Sequence, residues 1–433
     1  MNIVDIIIKK RDKKTLTKEE IDYFVKSAVN DEIADYQISA LLMAIFINGL
    51  TEDETSFLTE AMVNSGDVCD LSYIDGIKVD KHSTGGVGDT TTLIIAPIVA
   101  SLGVPVIKMS GRGLGFSGGT IDKLDSIPNF HTSLSPEEVV SAAKKTNLVI
   151  TGQNQNLVPA DKIFYALRDV TGTVDSIPLI VSSIMSKKLS SGADAIVLDV
   201  KCGSGAFMKD YASAKELALG MVNIGNKAGK KVTAVISSME QPLGNYIGNS
   251  LEVIEAIEVL KGNTKGDLLE VCLTLGAAML LNAQKVSTLE EGKALMQETI
   301  NNGKGLEKFR EFVKNQNGSP EIVDDYSLLP LGKVIKEIYS PKNGYVSKMD
   351  TALIGEAMVE TGAGRHQKAD PIDYGAGIIM NVRIGDYVKK GDVLAKVYSS
   401  SEEKALLAEK LLYKAFTISD TKVHAGKLIL DII

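Results

Sequence analysis

Hydrophobic spacing divides the chain into three stretches. Residues 1 to about 65 carry only helical periodicity. Thr17-x-x-Glu20 and Thr51-x-x-Glu54 are capping boxes that open helices over "EEIDYFVKSAVN" and "SFLTEAMVNSG". Between them "YQISALLMAIFINGL" is apolar nearly all round, which predicts a helix buried in a bundle or at a subunit interface. From about residue 70, short apolar runs alternate with helical stretches. The runs are "GIKVDKHS", "GVPVIKMSG", "NLVITGQ", "AIVLDVKCGSG" and "KVTAVISSM". One helix begins at Ser135-Pro136-Glu137-Glu138, with serine as N-cap and proline at the first helical position. This alternation predicts a mostly parallel sheet with helices on its faces, and ligands at the carboxyl ends of its strands. From Tyr345 the chain turns to short strands and Gly-Asp turns, as in "GAGIIMNVRIGDYVKKGDVLAKVYSS", which predicts a small β-rich domain.

Composition narrows the class. At 433 residues, two or three domains are expected, and 44% hydrophobic with 24% charged residues is ordinary for a globular enzyme. A net charge of −8 disfavours nucleic acid or an anionic membrane as partner, while leaving room for a local basic pocket. Cys69, Cys202 and Cys272 are far apart, odd in number and outside any CxxC pair. They argue against a zinc site or a disulfide framework and suit a reducing cytoplasm. The apolar stretch of "MNIVDIIIKKRDKK" is too short for a secretion signal. "ISALLMAIFINGL" falls short of the ~18 residues of a membrane span. A cytoplasmic protein with no membrane partner is expected.

Three segments carry candidate chemistry. "DKHSTGGVGDTTT", from Asp80 to Thr92, offers glycines for close backbone approach, the hydroxyls of Ser83 and Thr92, and the charge of Lys81. Gly88 is followed by Asp89 rather than by Lys-Ser/Thr, so this is not a Walker A loop. By itself it fits an anion site and an ordinary turn alike. "KMSGRGLGFSGGT", from Lys108 to Thr120, contains a literal GxGxxG. The short "TIDKLDSIPNF" that follows argues against a dinucleotide fold, which needs a long helix there. The third segment carries Arg168, Ser183 and Lys187. Arg168 and Lys187 read as solvated cations or, for Lys187 with its apolar flank "SIPLIVSSIMS", as aimed into a pocket where a cation would hold a polarised carbonyl or an anionic leaving group. Of the histidines, only His82 lies in a candidate loop; His131, His366 and His424 read as structural or exposed. No Ser/His/Asp order and no HExxH motif appears, so a protein nucleophile or zinc hydrolysis is poorly supported.

Together, "DKHSTGGVGD", "SGRGLGFSGGTIDKL", "TGTVDSIPLI", "SIMSKKL" and "DVKCGSGAFM" resemble the thymidine and pyrimidine-nucleoside phosphorylases, in order and spacing across roughly residues 80 to 210. The helical N-terminus and β-rich C-terminus look like the rest of that family. The resemblance implies phosphorolysis of uridine, thymidine and deoxyuridine to free base and (2-deoxy)ribose 1-phosphate, with phosphate as co-substrate and no organic cofactor. It implies that Lys81, His82, Ser83, Thr92, Lys108, Met109, Ser110 and Thr120 bind phosphate. It implies that Arg168, Ser183 and Lys187 grip the base, and that His82, Arg168 and Lys187 are catalytic. It further implies a potassium site from backbone oxygens of Gly88, Thr90, Leu243 and Tyr246 with the Glu255 carboxylate. A homodimer through the apolar helix is also implied, unless neighbouring helices of one chain bury that face.

The resulting architecture is α/β multidomain. Residues 1–68 form an all-helical domain, joined by about 162–193. Residues 69–161 and 194–335 form a mostly parallel α/β phosphate-binding domain, and 336–433 a hammerhead-like α+β domain. The helical domain is expected to close onto the phosphate domain. Two departures stand out: Phe116-Ser117 where the family often has His-Thr, and tyrosine at 246 where it usually has a small residue. Lys108-Met-Ser-Gly matches members that accept both uridine and thymidine, whereas thymidine-specific members tend to read Met-Ile-Ser-Gly. Two other readings remain. Anthranilate phosphoribosyltransferases resemble the fold but bind pyrophosphate with magnesium. Lipoyl or biotinyl carriers resemble the C-terminal part, with Lys348 as the mistakable lysine, here expected in a solvated turn.

Overall fold

The computed structural model describes every residue except Leu114, Phe116, Ser117, Asn154, Gln155 and Lys368. The N-terminal unit begins with α1 (Ile3–Arg11), α2 (Lys18–Val29), α3 (Asp35–Asn48) and α4 (Glu52–Val63). Both expected capping boxes form: Thr17 and Thr51 accept the N3 amide while Glu20 and Glu54 reach back. The apolar α3 buries Ile38, Leu41, Leu42 and Ile45 but leaves Tyr36, Phe46 and Ile47 exposed.

The central unit carries three parallel strands, β1 (Val79–Ser83), β4 (Ala195–Cys202) and β5 (Lys231–Ser238), in the order β1-β4-β5. β2 (Val106–Ser110) and β3 (Leu148–Gly152) form a separate parallel pair beside β1. Their crossovers run through α5 (Thr91–Ser101), α6 (Thr120–Asp125), α7 (Pro136–Thr146), α8 (Pro159–Thr171), α9 (Ile177–Ser190) and α10 (Tyr211–Lys227). Every residue of β4 is buried, because helices cover both faces. Side-chain alternation sends Ile196, Leu198 and Val200 toward Val181, Met185, Leu217 and Met221 of α9 and α10. Ala195 and Val197 point the other way, into the main core with α5, α11 (Asn249–Leu260) and α12 (Asp267–Asn282). α13 (Leu289–Asn301) and α14 (Lys304–Asn315) complete that layer, packing on α12 and α5.

Although α8 and α9 fall in the middle of the sequence, they pack on the N-terminal helices. Phe164 of α8 stacks on Phe24 of α2, ring centroids 4.9 Å apart, and Leu179 of α9 joins the same cluster. α9 thus has one end in the helical unit and another on the sheet.

The C-terminal unit is two antiparallel sheets and a pair of helices around its own core. One sheet runs β6 (Tyr246–Ile247), β9 (Gly377–Met380), β11 (Val393–Ser399), β7 (Val334–Tyr339). The other runs β10 (Tyr387–Val388), β8 (Gly344–Met349), β12 (Phe416–Ser419), with α15 (Thr351–Met358) and α16 (Glu402–Ala415) packed against each other. The expectation that residues 336–433 form one unit needs correction at its end. β13 (Ile429–Ile432) leaves it and pairs antiparallel with β5, closing the exposed edge of the central sheet. Lys348 also differs from expectation: it lies within β8, paired with Thr417, and not in a turn.

Candidate active site

Two strand ends and three helices meet at a single cavity. β1 ends in Lys81-His82-Ser83, β2 ends in Lys108-Met109-Ser110, and the N-terminal turn of α5 brings Thr92. Thr120, the first residue of α6, and Lys187 of α9 complete the lining. The cavity measures about 190 Å³, below the ~300 Å³ where small-molecule sites usually begin. Glycines of both loops line it. Gly85 takes φ +95°, a conformation that favours glycine, and a Cβ on Gly119 would strike the backbone nitrogen of Gly113.

Alternation along β1 builds two charge clusters on opposite faces. On one, the Lys81 ammonium donates to Thr91 Oγ1 at 2.5 Å and lies 3.5 Å from Asp199 and 3.9 Å from Asp89. Asp89 accepts from Thr91 at 2.5 Å and from Ser83 at 2.5 Å. Burial works against the charge on Asp89, but Lys81, Lys201 and Lys123 outweigh it and hold its pKa well below the ordinary value. On the other face, buried Asp80 meets Lys188 at 2.7 Å and Lys108 at 3.6 Å. Lys108 also donates to the backbone oxygen of Lys81. Burial drives the Lys108 pKa down to about 7, with Asp80 opposing and Lys188 and Lys81 adding. Burial, then Lys188, Lys108, Lys187 and Lys81, hold His82 well below the usual imidazole value. The ring is therefore neutral at pH 7, a hydrogen-bond donor from one nitrogen and an acceptor at the other.

Such a pocket, rich in ammonium groups and hydroxyls at strand ends, suits an oxyanion. The comparisons with known proteins agree in kind. Residues 4–66 match the "Glycosyl transferase family, helical bundle domain", residues 75–306 the "Glycosyl transferase family, a/b domain", and residues 345–419 the "Pyrimidine nucleoside phosphorylase C-terminal domain". The chain is 53% identical over 431 residues to a pyrimidine-nucleoside phosphorylase of Geobacillus stearothermophilus, covering 100% of this chain and 99% of that one. It belongs to the pyrimidine-nucleoside phosphorylase family. A pyrimidine-nucleoside phosphorylase of Staphylococcus haemolyticus is 54% identical over 411 residues, covering 95% of each chain. Among solved structures, the anthranilate phosphoribosyltransferase of Thermus thermophilus superposes with a TM-score of 0.57 at 20% identity, covering 72% of this chain and 99% of that one. That likeness is one of fold.

Of the residues that resemblance to the phosphorylases assigned to phosphate, all eight line the cavity: Lys81, His82, Ser83, Thr92, Lys108, Met109, Ser110 and Thr120. The base grip is divided. Lys187 lines the cavity, donating to Asp161 at 2.7 Å and Ser183 Oγ at 3.1 Å. Ser183 and Arg168 do not line it. Arg168 is buried and donates to the carbonyls of Thr173 at 3.1 Å, Val174 at 2.6 Å and Leu179 at 3.3 Å. It thereby laces the turn between α8 and α9. The expected departure at Phe116-Ser117 lies outside the described residues.

Five polar contributors escaped the sequence reading: Asp89, Arg112, Lys188, Gln153 and Asp161. Asp89 stands in the first loop, but an acid argues against an anion site until it is seen as the counter-ion of Lys81. Lys188 adjoins Lys187 and could have been noticed; Asp161 belongs to no motif.

The expected cation ligands partly converge. Gly88 O accepts from Gly244 N at 3.1 Å, and Glu255 accepts the amides of Asn245 at 2.6 Å and Tyr246 at 3.2 Å. Burial raises the Glu255 pKa to about 7, and among the described residues no ion pair reaches its carboxylate. Leu243 O is taken by Arg383 at 2.7 Å, and Thr90 O accepts from Leu93 N at 3.1 Å. Among the described residues no cluster of three or more His, Cys, Asp or Glu is placed to hold a metal. A backbone-oxygen site with one carboxylate is still compatible with the residues present, since a carbonyl has two lone pairs and Glu255, with Arg383 acting on it only from a distance, forms no ion pair among the described residues.

Proposed function

We propose that the protein catalyses the reversible phosphorolysis of pyrimidine nucleosides, uridine, deoxyuridine and thymidine, to free base and ribose 1-phosphate or 2-deoxyribose 1-phosphate. Membership of the phosphorylase family at 53% identity over the whole chain is joined to one observation of geometry. Lys81, Lys108, Lys187 and Lys188 share a small cavity with Ser83, Ser110, Thr92 and Thr120.

Phosphate lies against Lys81 and the hydroxyls, its negative charge balanced by ammonium groups that Asp80 and Asp89 already hold in place. A phosphate oxygen forms the bond to C1′ as the C1′–N1 bond breaks. The electron pair leaves on the base, which then takes up a proton. Lys187 donates to the charge that builds on the departing pyrimidine. Neutral His82 donates a hydrogen bond from between the two ends of the site and is not an acid reservoir at pH 7. Phosphate itself is the nucleophile, so no activated protein nucleophile is needed. The cavity is small for two substrates, which supports separation of the helical unit from the sheet to admit them and closure to react.

The finer parts of this reading are a potassium ion at Gly88, Tyr246 and Glu255, a cytoplasmic location where three free thiols stay reduced, and a homodimer. Tyr36, Ala40, Met43 and Ile47 follow one face of α3, and Tyr36, Ala40 and Ile47 are exposed. That stripe supports a helix-to-helix interface between copies. Among the described residues no helix is long and apolar enough to cross a membrane.

The test is release of uracil from uridine by purified protein. Release only with inorganic phosphate, and without added magnesium, is expected. Release in the absence of phosphate would make the protein a hydrolase and overturn the proposal.

A further inference from the structure

Lys187 is delivered to the cavity by a residue that does not line it. Its ammonium has three N–H donors. One goes to Asp161 Oδ2 at 2.7 Å and one to Ser183 Oγ at 3.1 Å. Ser183 is four residues before Lys187 on α9 and so one turn away, whereas Asp161 reaches across from α8. The third N–H remains for the cavity, toward which Lys187 stays 23% exposed. Asp161 also lies seven residues before Arg168 on α8, two turns along the same face. Burial lowers the Arg168 pKa, and the Asp161 charge is the leading influence opposing it. One carboxylate therefore pairs with Lys187 and lies within electrostatic reach of Arg168.

We infer that Asp161 is a positioning residue for the leaving group: it is the counter-ion that fixes Lys187 with one free donor aimed at the departing base. The inference rests on the pyrimidine-phosphorolysis reading. A lysine stem is long and loses its direction without a partner. Lys187 also shares the cavity with Lys81, Lys108 and Lys188, and without Asp161 their mutual repulsion would drive it toward solvent. Asp80 and Asp89 cannot replace Asp161, since Lys188, Lys108 and Lys81 already occupy them.

The role predicts a dependence on the leaving group that loss of structure would not produce. A base whose anion is intrinsically stable needs the Lys187 donor less. Asp161→Ala and the isosteric Asp161→Asn are compared with wild type on uridine and on 5-fluorouridine, whose base is the better leaving group. Expected for Asp161→Ala is a fall in kcat on uridine of about 10²-fold, with a fall on 5-fluorouridine about tenfold smaller. Asp161→Asn keeps an oxygen for the ammonium and should fall between wild type and alanine; it carries the test if the alanine variant does not accumulate. KM for phosphate should stay within about twofold, because the phosphate cluster is untouched. Equal losses on both nucleosides, a matching rise in phosphate KM, or unchanged kcat would overturn the inference. Wild-type protein without phosphate-dependent release would instead overturn the proposed function itself.

Discussion

Lys188 Nζ stands 2.7 Å from a carboxylate oxygen of Asp80, joining the end of α9 to the first strand of the central sheet. Both side chains are at least 95% buried. The pair ties the helix that carries the base-side lysine to the strand that carries the phosphate-side lysine. Removing one member of such a pair leaves a buried charge and costs ~3–5 kcal/mol. Lys188→Met is expected to lower the melting temperature markedly, and Asp80→Asn with Lys188→Met to recover part of the loss. Thermal melts of the single and double variants measure the coupling; additive losses would show that the two charges are independent.

Lys187 and Arg168 should separate catalysis from stability. Lys187 is partly exposed and Arg168 buried with three backbone carbonyls on its guanidinium. Lys187→Ala is expected to cut turnover on uridine by ~10²-fold, with a smaller loss in melting than Arg168→Ala, since it strands the one carboxylate of Asp161. Arg168→Ala removes the lacing of the α8–α9 turn and leaves buried carbonyls at ~1–3 kcal/mol each, so it should lose stability together with activity. Melting curves beside steady-state rates distinguish them. An Arg168→Ala protein that melts like wild type would free that residue for a purely catalytic role.

Lys108 gives a pH dependence with a defined direction. With its pKa down at about 7, the side chain is an ammonium below that pH and a neutral amine above it. Its help in holding phosphate should fade as pH rises through about 7. Phosphate's own second ionisation overlaps, so the comparison is with Lys108→Met: the ratio of phosphate KM values, variant over wild type, should be largest near pH 6 and shrink toward ~1 near pH 8. In the unfolded chain the lysine keeps its proton to about 10.4, so this group favours folding increasingly as pH rises from about 7. The same substitution should weaken uridine more than deoxyuridine, by ~1–3 kcal/mol if the 2′-hydroxyl loses its partner. Equal weakening would assign Lys108 to phosphate alone.

Glu255 makes the cation reading testable by melting. Its carboxyl, raised to about 7, is protonated in the folded protein at pH 6 and ionised at pH 8. The unfolded chain ionises near 4.3, so between there and about 7 the folded state holds the extra proton, and stability falls as pH rises. A bound potassium ion would offset that loss only where the carboxylate is charged. Potassium chloride, compared with choline chloride, is therefore expected to raise the melting temperature more at pH 8 than at pH 6, and Glu255→Gln to abolish the difference. A potassium effect that persists in Glu255→Gln would place the ion elsewhere.

Much of the architecture follows from local chemistry. Thr17, Thr51 and Ser135 cap their own helices with a glutamate three residues on, an arrangement confined to one turn. The five apolar runs became β1 to β5 because burial on both faces demands continuous hydrophobic stretches. The phosphate-side residues were legible for a similar reason, since β1 and β2 each deliver three consecutive residues to one cavity. Counter-ions were not legible. Asp161 to Lys187, Asp80 to Lys188 and Asp122 to Arg365 span 26, 108 and 243 residues. Pairing at such separations depends on how helices stack and strands order, and local sequence does not encode which carboxylate an ammonium will meet. Tertiary structure likewise decided that Arg168 spends its donors on the backbone, because the α8–α9 turn folds back over it. It also decided that the final strand returns to β5, because an open sheet edge needs a partner from wherever in the chain one is available.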